Sequence, residues 1–137
     1  MEIRYVRQVL PSRTNFFRLF ETTGWNRAYQ LSEAALFSGI QHSWFFVSAF
    51  HEDRLVGFGR MISDGVMHAR ILDMIVHPDY QGMGIGRQFL DVLRTYADEH
   101  DIRDLQLFAA AGKADFYQRY GFSRRSKEVP GMEIKRC

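Results

Sequence analysis

The sequence predicts an α+β fold, a mixed and mostly antiparallel central sheet flanked by helices. Three observations carry that class. Between Trp44 and Val76, β-forming runs alternate with short polar turns. The last of these runs is apolar on both faces, as a covered central strand should be. After it, a glycine-spaced loop leads into a helical stripe, and a further strand, helix and strand complete a βαβαβ half.

The elements follow in order. Ile3 to Val6 opens as a strand and stops before Pro11. Thr14 to Thr22 carries Phe16, Phe17 and Phe20 at helical spacing. Gly24 interrupts, and the pattern predicts a second helix over Asn26 to Phe37, with Asn26 as N-cap and Gly39 as stop. Trp44 to Phe50 and Leu55 to Ile62 form a hairpin about the turn His51-Glu52-Asp53-Arg54. Ser63-Asp64-Gly65 turns the chain into the strand Ala69 to Val76. A helix from about Gly84 to Asp98 buries Ile85, Phe89, Val92, Leu93 and Tyr96 along one stripe. Leu105 to Ala109 is a strand and Ala114 to Tyr120 a short helix closed by Gly121. Strands are expected from Phe122 and over Met132 to Lys135.

Composition narrows the function. A chain of 137 residues supports one domain, residues 1–137, with a single core. Hydrophobic residues are 46% and charged residues 25%, as in ordinary globular proteins, while 15% aromatics suit either an aromatic-lined cleft or a core filled with large side chains. A net charge of +2 with dispersed basic residues argues against nucleic acid; the pairs Arg124-Arg125 and Lys135-Arg136 read as solvated strand edges. The one cysteine, Cys137, permits no internal disulfide and is poorly placed for a nucleophile. No apolar run approaches the roughly 20 residues of a membrane span. Cytoplasmic localisation and no membrane partner are expected. No His, Cys or Asp cluster has metal-ligand spacing, so no metal is expected, and the methionines read as core filler.

The chemistry lies in two segments. In the first, the strand end Val76-His77-Pro78 leads into Gln81-Gly82-Met83-Gly84-Ile85-Gly86-Arg87. A glycine loop opening a helix leaves backbone N–H groups uncovered, which is an anion site. The G-x-G-x-G spacing matches neither the dinucleotide fingerprint nor the nucleoside-triphosphate loop. The second segment is Gly112-Lys113-Ala114-Asp115-Phe116-Tyr117-Gln118-Arg119-Tyr120-Gly121-Phe122. Phe116 and Tyr120 fall at i and i+4 as core anchors, whereas Tyr117 sits one residue off that stripe with a hydroxyl to satisfy.

Together these segments resemble the GCN5-related N-acetyltransferase (GNAT) superfamily, a likeness that runs along nearly the whole chain. Gln81 to Gly86 matches the signature Gln/Arg-x-x-Gly-x-Gly/Ala, and Phe116-Tyr117 to Gly121-Phe122 matches Phe-Tyr-x-x-x-Gly-Phe. The motifs lie about thirty residues apart, with the expected helix and strand between them.

The resemblance implies an enzyme that transfers the acetyl group of acetyl-CoA to an amine. It implies that Gln81, Gly82, Met83, Gly84, Ile85, Gly86 and Arg87 hold the CoA pyrophosphate. Met74, Ile75 and Val76 would pair with the pantetheine arm where the strand splays from its parallel neighbour, Leu105 to Ala109. Tyr117 would give a proton to the departing sulfur, as a phenol with pKa about 10 can at neutral pH. A backbone N–H near Ile75 would polarise the thioester carbonyl. Lys113 and Phe116 are further cofactor-binding candidates, although Lys113 also reads as a solvated residue and Phe116 as core. Where the family often carries an asparagine before its Phe-Tyr pair, this chain has Ala109-Ala110-Ala111.

Asp73 has two readings: a catalytic base or ammonium binder, or a structural carboxylate bonded to neighbouring N–H groups or to Arg70. His68 and His77 read as surface residues. Trp25 lines an amine pocket or packs in the core. The expected activity is direct acetyl transfer to a small-molecule amine, with possible pairing of exposed final strands into a homodimer. The alternatives are a non-catalytic acyl-CoA-binding sensor and a protein N-acetyltransferase.

Overall fold

In the computed structural model, residues 2–136 are described, and the chain divides into two compact units after Leu107. The first unit contains a five-stranded sheet in the order β1-β2-β3-β4-β5. Its strands are β1 (Arg4–Arg7), β2 (Phe45–His51), β3 (Arg54–Ser63), β4 (His68–Val76) and β5 (Asp104–Leu107). All neighbours are antiparallel except β4 and β5, which run parallel. The mixed, mostly antiparallel sheet is therefore as expected.

Helices α1 (Arg13–Glu21) and α3 (Glu33–Gln41) cover one face of that sheet. Phe16, Leu19 and Phe20 of α1 and Leu36 and Ile40 of α3 pack with Phe46, Leu55, Phe58 and Ile75. Each buried aromatic or aliphatic side chain of this size contributes about 1.5–3 kcal/mol. Helix α4 (Ile85–Glu99) covers the other face with Ile85, Phe89, Leu90, Val92 and Leu93. Its seat is a glycine: a Cβ at Gly57 would lie 2.9 Å from Phe89 Cζ and 3.2 Å from Ile85 Cγ2. Neighbouring strand residues point to opposite faces, so Gly57 meets α4 while Phe58 meets α1.

The second helix departs from expectation. Instead of one helix over Asn26 to Phe37, the chain forms α2 (Asn26–Tyr29) and then α3. Gln30 between them adopts φ +52°, in the left-handed region, which ends α2. Asn26 is not the N-cap. Its side chain bonds both backbone groups of Leu31 and so fixes the break. Ser32 then caps α3 by accepting from the Ala35 N–H at 3.1 Å, and Gly39 lies inside α3 and does not stop it.

The second unit holds α5 (Ala114–Arg119), where Phe116 packs edge-on to Tyr117 and Tyr120. The strands expected from Phe122 and at Met132 to Lys135 are not formed among the described residues. Residues Ser126 to Val129 turn instead, and Pro130-Gly131 follows. Proline lacks a donor and glycine has no side chain to pack, so neither supports a ladder. Arg124-Arg125 accordingly lies on no strand edge; Arg124 meets Asp115 at 3.5 Å.

Candidate functional site

The site is built on the end of β4. Pairing with β5 runs from His68↔Asp104 to Ile71↔Leu107 and then stops. From Leu72 to Val76 the β5-facing edge of β4 has no strand partner among the described residues, whereas its other edge stays paired to β3 as far as Gly57↔Val76. The pairing ends where β5 itself ends, at Leu107; β5 is the expected neighbour, though two residues shorter at its end than Leu105 to Ala109 suggests.

A bulge lies just past the point where that pairing ends. The β3–β4 register shifts between Phe58↔Ile75 and Arg60↔Leu72, and Asp73 within the shift has φ +53°. Aspartate tolerates this conformation better than most residues, because its short polar side chain can bond locally. Its Oδ2 accepts from Arg60 Nε at 2.8 Å, and both side chains are mostly buried. Arg60 is thus a structural partner of Asp73. Arg60 also lies 3.4 Å from the Gly39 carbonyl and 3.4 Å from Ser43 Oγ, tying the bulge to the end of α3. Sequence reasoning missed Arg60, yet an arginine inside the apolar run Leu55 to Ile62 was the available signal.

Met74 and Val76 are half-buried, and the Ile75 side chain is sealed in the α1 face of the core, so its backbone alone is offered. The loop that follows is self-braced. His77 Nδ1 accepts from the Asp79 N–H at 3.1 Å, and Gln81 Nε2 donates to the Val76 carbonyl at 3.2 Å. His77 is therefore a bonded, half-buried residue rather than the surface residue expected. His68 is exposed, with Nδ1 3.2 Å from Asp104 Oδ2. Tyr80 is buried, its hydroxyl 2.6 Å from His51 Nδ1.

Gly82 and Gly84 have φ +78° and +85°, and a Cβ on either would meet nothing within 4 Å. They are needed for the turn and leave open space beside it. Gly84 is the N-cap of α4 and offers no side-chain cap, and the first turn has no acidic residue. The first intrahelical bond from the loop side is Gln88 N–H to the Gly84 carbonyl. The N–H groups of Ile85, Gly86 and Arg87 thus head the helix beside the exposed Met83 and Arg87, while the Ile85 side chain is buried. Together with the unpartnered β4 edge, this arrangement fits an extended ligand with amide groups and a phosphate.

In the second unit, Lys113 is exposed at the start of α5, and Phe116 and Tyr117 are half-buried. Burial pushes the Tyr117 hydroxyl above its usual pKa, so it keeps its proton through the neutral range. Trp25 lies 38% exposed between α1 and α2, edge-on to Phe20, which also stacks on Tyr29. It is neither sealed in the core nor isolated. Cys137 lies outside the described residues. Among the described residues, no group of three His, Cys, Asp or Glu is gathered as for a metal ion, and no helix is long and apolar enough to cross a membrane.

Comparison with known proteins gives the family. Residues 18–135 match the model of the acetyltransferase (GNAT) domain. An uncharacterized N-acetyltransferase from Porphyra purpurea, ycf52, is 32% identical over 93% of this chain and 77% of its own length. A Glycine max protein named histone acetyltransferase TAP1 is 35% identical over 59% of this chain, and the match spans only 35% of that relative. In structure, a GNAT family acetyltransferase from Streptococcus pneumoniae superposes with a TM-score of 0.76 at 23% identity. The superposition covers 97% of this chain and 96% of that one, a likeness of fold.

Proposed function

The chain belongs to the GNAT acetyltransferase family, and from that premise we propose that it transfers an acetyl group from acetyl-CoA directly to the amine of a small molecule. It is an acyltransferase, and the family generally uses acetyl-CoA. The observation that carries the reading is the coincidence at one strand end of an unpartnered β4 edge, two left-handed glycines and an uncapped helix terminus. The backbone of Met74, Ile75 and Val76 is assigned to the amide groups of pantetheine. The segment Gln81 to Arg87 is assigned to the pyrophosphate, with Lys113 and Phe116 as further cofactor contacts.

Acetyl-CoA supplies the activated acyl group when bound. An N–H near Ile75 is assigned to stabilise charge developing on the carbonyl oxygen. Tyr117 is assigned to give its proton to the leaving sulfur, a role supported by a hydroxyl that burial keeps protonated. Asp73 is assigned to the amine side, as base or ammonium binder, with Arg60 fixing its orientation. Trp25 is assigned to the acceptor pocket; its partly exposed ring, backed by Phe20 near Tyr29, supports an acceptor of small-molecule size.

The second reading is a protein acceptor, supported by the likeness to the soybean protein named histone acetyltransferase TAP1. Exposed Val129, Met132 and Ile134 support a homodimer, and the single cysteine in the sequence fits a reducing compartment such as the cytoplasm.

A thiol-release assay with acetyl-CoA, run across small amines and a lysine-bearing histone peptide, tests the acceptor class. Turnover confined to the peptide overturns the small-molecule reading. Tyr117→Phe is expected to lower turnover about 100-fold while CoA affinity stays within about twofold. Unchanged turnover removes Tyr117 from the acid role.

A further inference from the structure

A cavity of about 420 Å3 lies between α1, the β2–β3 turn and the first residue after β4. Its volume falls in the range of small-ligand clefts, roughly 300–1,000 Å3. Leu19 and Leu55 give it an apolar floor, and Arg18, Arg54, Asn15 and His77 line it. Because Leu19 and Leu55 belong to the α1-side core, the cavity opens on the face of the sheet opposite α4.

Its charges are unbalanced. Arg13, Arg60, Arg94 and Arg124 are each ion-paired. Arg18 and Arg54 have no carboxylate partner among the described residues, and Asp53 on the cavity wall offsets one positive charge of the two. Arg54 instead lies over the Tyr80 ring, 5.7 Å from its centre, with its terminal nitrogen 2.9 Å from His77 Nε2.

The histidine makes that contact informative. The backbone N–H of Asp79 points at Nδ1, 3.1 Å away, and the guanidinium points at Nε2. A neutral imidazole has one lone pair for these two donors, and a guanidinium cannot accept. In either tautomer a donor meets a donor. The Asp79 carboxylate, 3.9 Å from Nδ1, is too far to resolve the conflict by hydrogen bonding. With Nδ1 accepting from Asp79, an oxyanion between Nε2–H and Arg54 would accept from both and complete the set.

We propose that this cavity is an anion-binding site for a small organic molecule bearing a phosphate or carboxylate group. Arg54 and His77 grip the oxyanion, Arg18 closes the other side, Asn15 adds an amide donor, and the leucines take the apolar remainder. The site is separate from the glycine loop. It adjoins that loop's foot, because His77 directly precedes Pro78.

The test titrates inorganic phosphate, and in parallel acetate, into the full chain already saturated with CoA, at constant ionic strength set with chloride. Saturation removes the glycine loop as a competing phosphate site. Binding is read from amide shifts of Asn15, His77 and Asp79 and from the rise in Tm. The wild type is expected to respond to at least one anion, and which anion binds more tightly assigns the phosphate or carboxylate class. The double variant Arg18→Gln/Arg54→Gln, exposed at both positions, is expected to weaken that response about 100-fold. Arg7→Gln, outside the cavity, is expected to leave it unchanged. No response to either anion in the wild type, or a response undiminished in the double variant, overturns the proposal.

Discussion

The two halves of β4 share one strand and one backbone conformation up to Asp73, yet they do different work. From His68 to Ile71 the strand is paired on both edges. From Leu72 to Val76 it is paired on one edge only. The first half is ordinary interior sheet, held by ladders on two sides and by buried Ala69 and Ile71. The second half keeps its buried Ile75 but gives up one row of partners, and the bulge at Asp73 is the joint between the two. A backbone edge without a strand partner is a liability on a sheet unless something extended is meant to lie along it.

Truncating a core side chain in the paired half should have the largest effect on stability. Ile71→Ala is expected to cost roughly 2–5 kcal/mol in urea unfolding, with CoA affinity per folded molecule unchanged. A loss of affinity in step with stability would mean that the halves are not separable.

The joint comes next. Asp73→Gly and Asp73→Val both delete the ion pair with Arg60 and both must occupy φ +53°, which glycine adopts freely and valine only under strain. Valine is expected to be less stable than glycine by about 1–2 kcal/mol. Equal stabilities would show that the bulge has relaxed.

Hydrogen exchange addresses the open edge directly. CoA is expected to slow exchange about tenfold or more at amides between Leu72 and Val76, while those of Ala69 and Ile71 stay as they were. Uniform slowing along β4 would erase the distinction.

The smallest effect lies in the turn that feeds the paired half. Asp64 Oδ1 accepts from the N–H groups of Val66, Met67 and His68 at 2.8, 2.7 and 3.1 Å, and these bonds lower its pKa from the ordinary 3.8. A depressed folded pKa means that the unfolded chain binds the proton more readily. The contribution is therefore present above 3.8 and is lost as pH falls through the folded value. Unfolding between pH 5 and 2 should show this small loss in the wild type and a flatter profile in Asp64→Asn.

The contrast between the halves was only partly written in the sequence. Continuous apolar character marked Ala69 to Val76 as a covered strand, and the glycine spacing with Phe116-Tyr117 marked the family. What interrupted regular elements was harder to read. The break at Gln30 depends on Asn26 reaching Leu31 with two hydrogen bonds, an arrangement that hydrophobic periodicity does not encode. The bulge depends on Arg60 and Asp73, thirteen positions apart, meeting across two strands. The missing final strands reflect Pro130-Gly131 and the charged run before it, where local chemistry prevails over residues such as Met132 and Ile134 that suit a strand. Periodicity identifies elements; their defects are set by side chains distant in sequence.

The glycine under α4 has a reach beyond packing. Gly57 sets how closely the helix settles on the sheet, and it does so at Ile85 and Phe89, in the helix's first turns. A methyl group there would act as a shim beneath one end of a rigid rod, tipping the amide-bearing terminus away from the strand edge beside it. Ligand capture at the loop is thereby adjustable from the interior of the sheet, by a residue that no ligand touches.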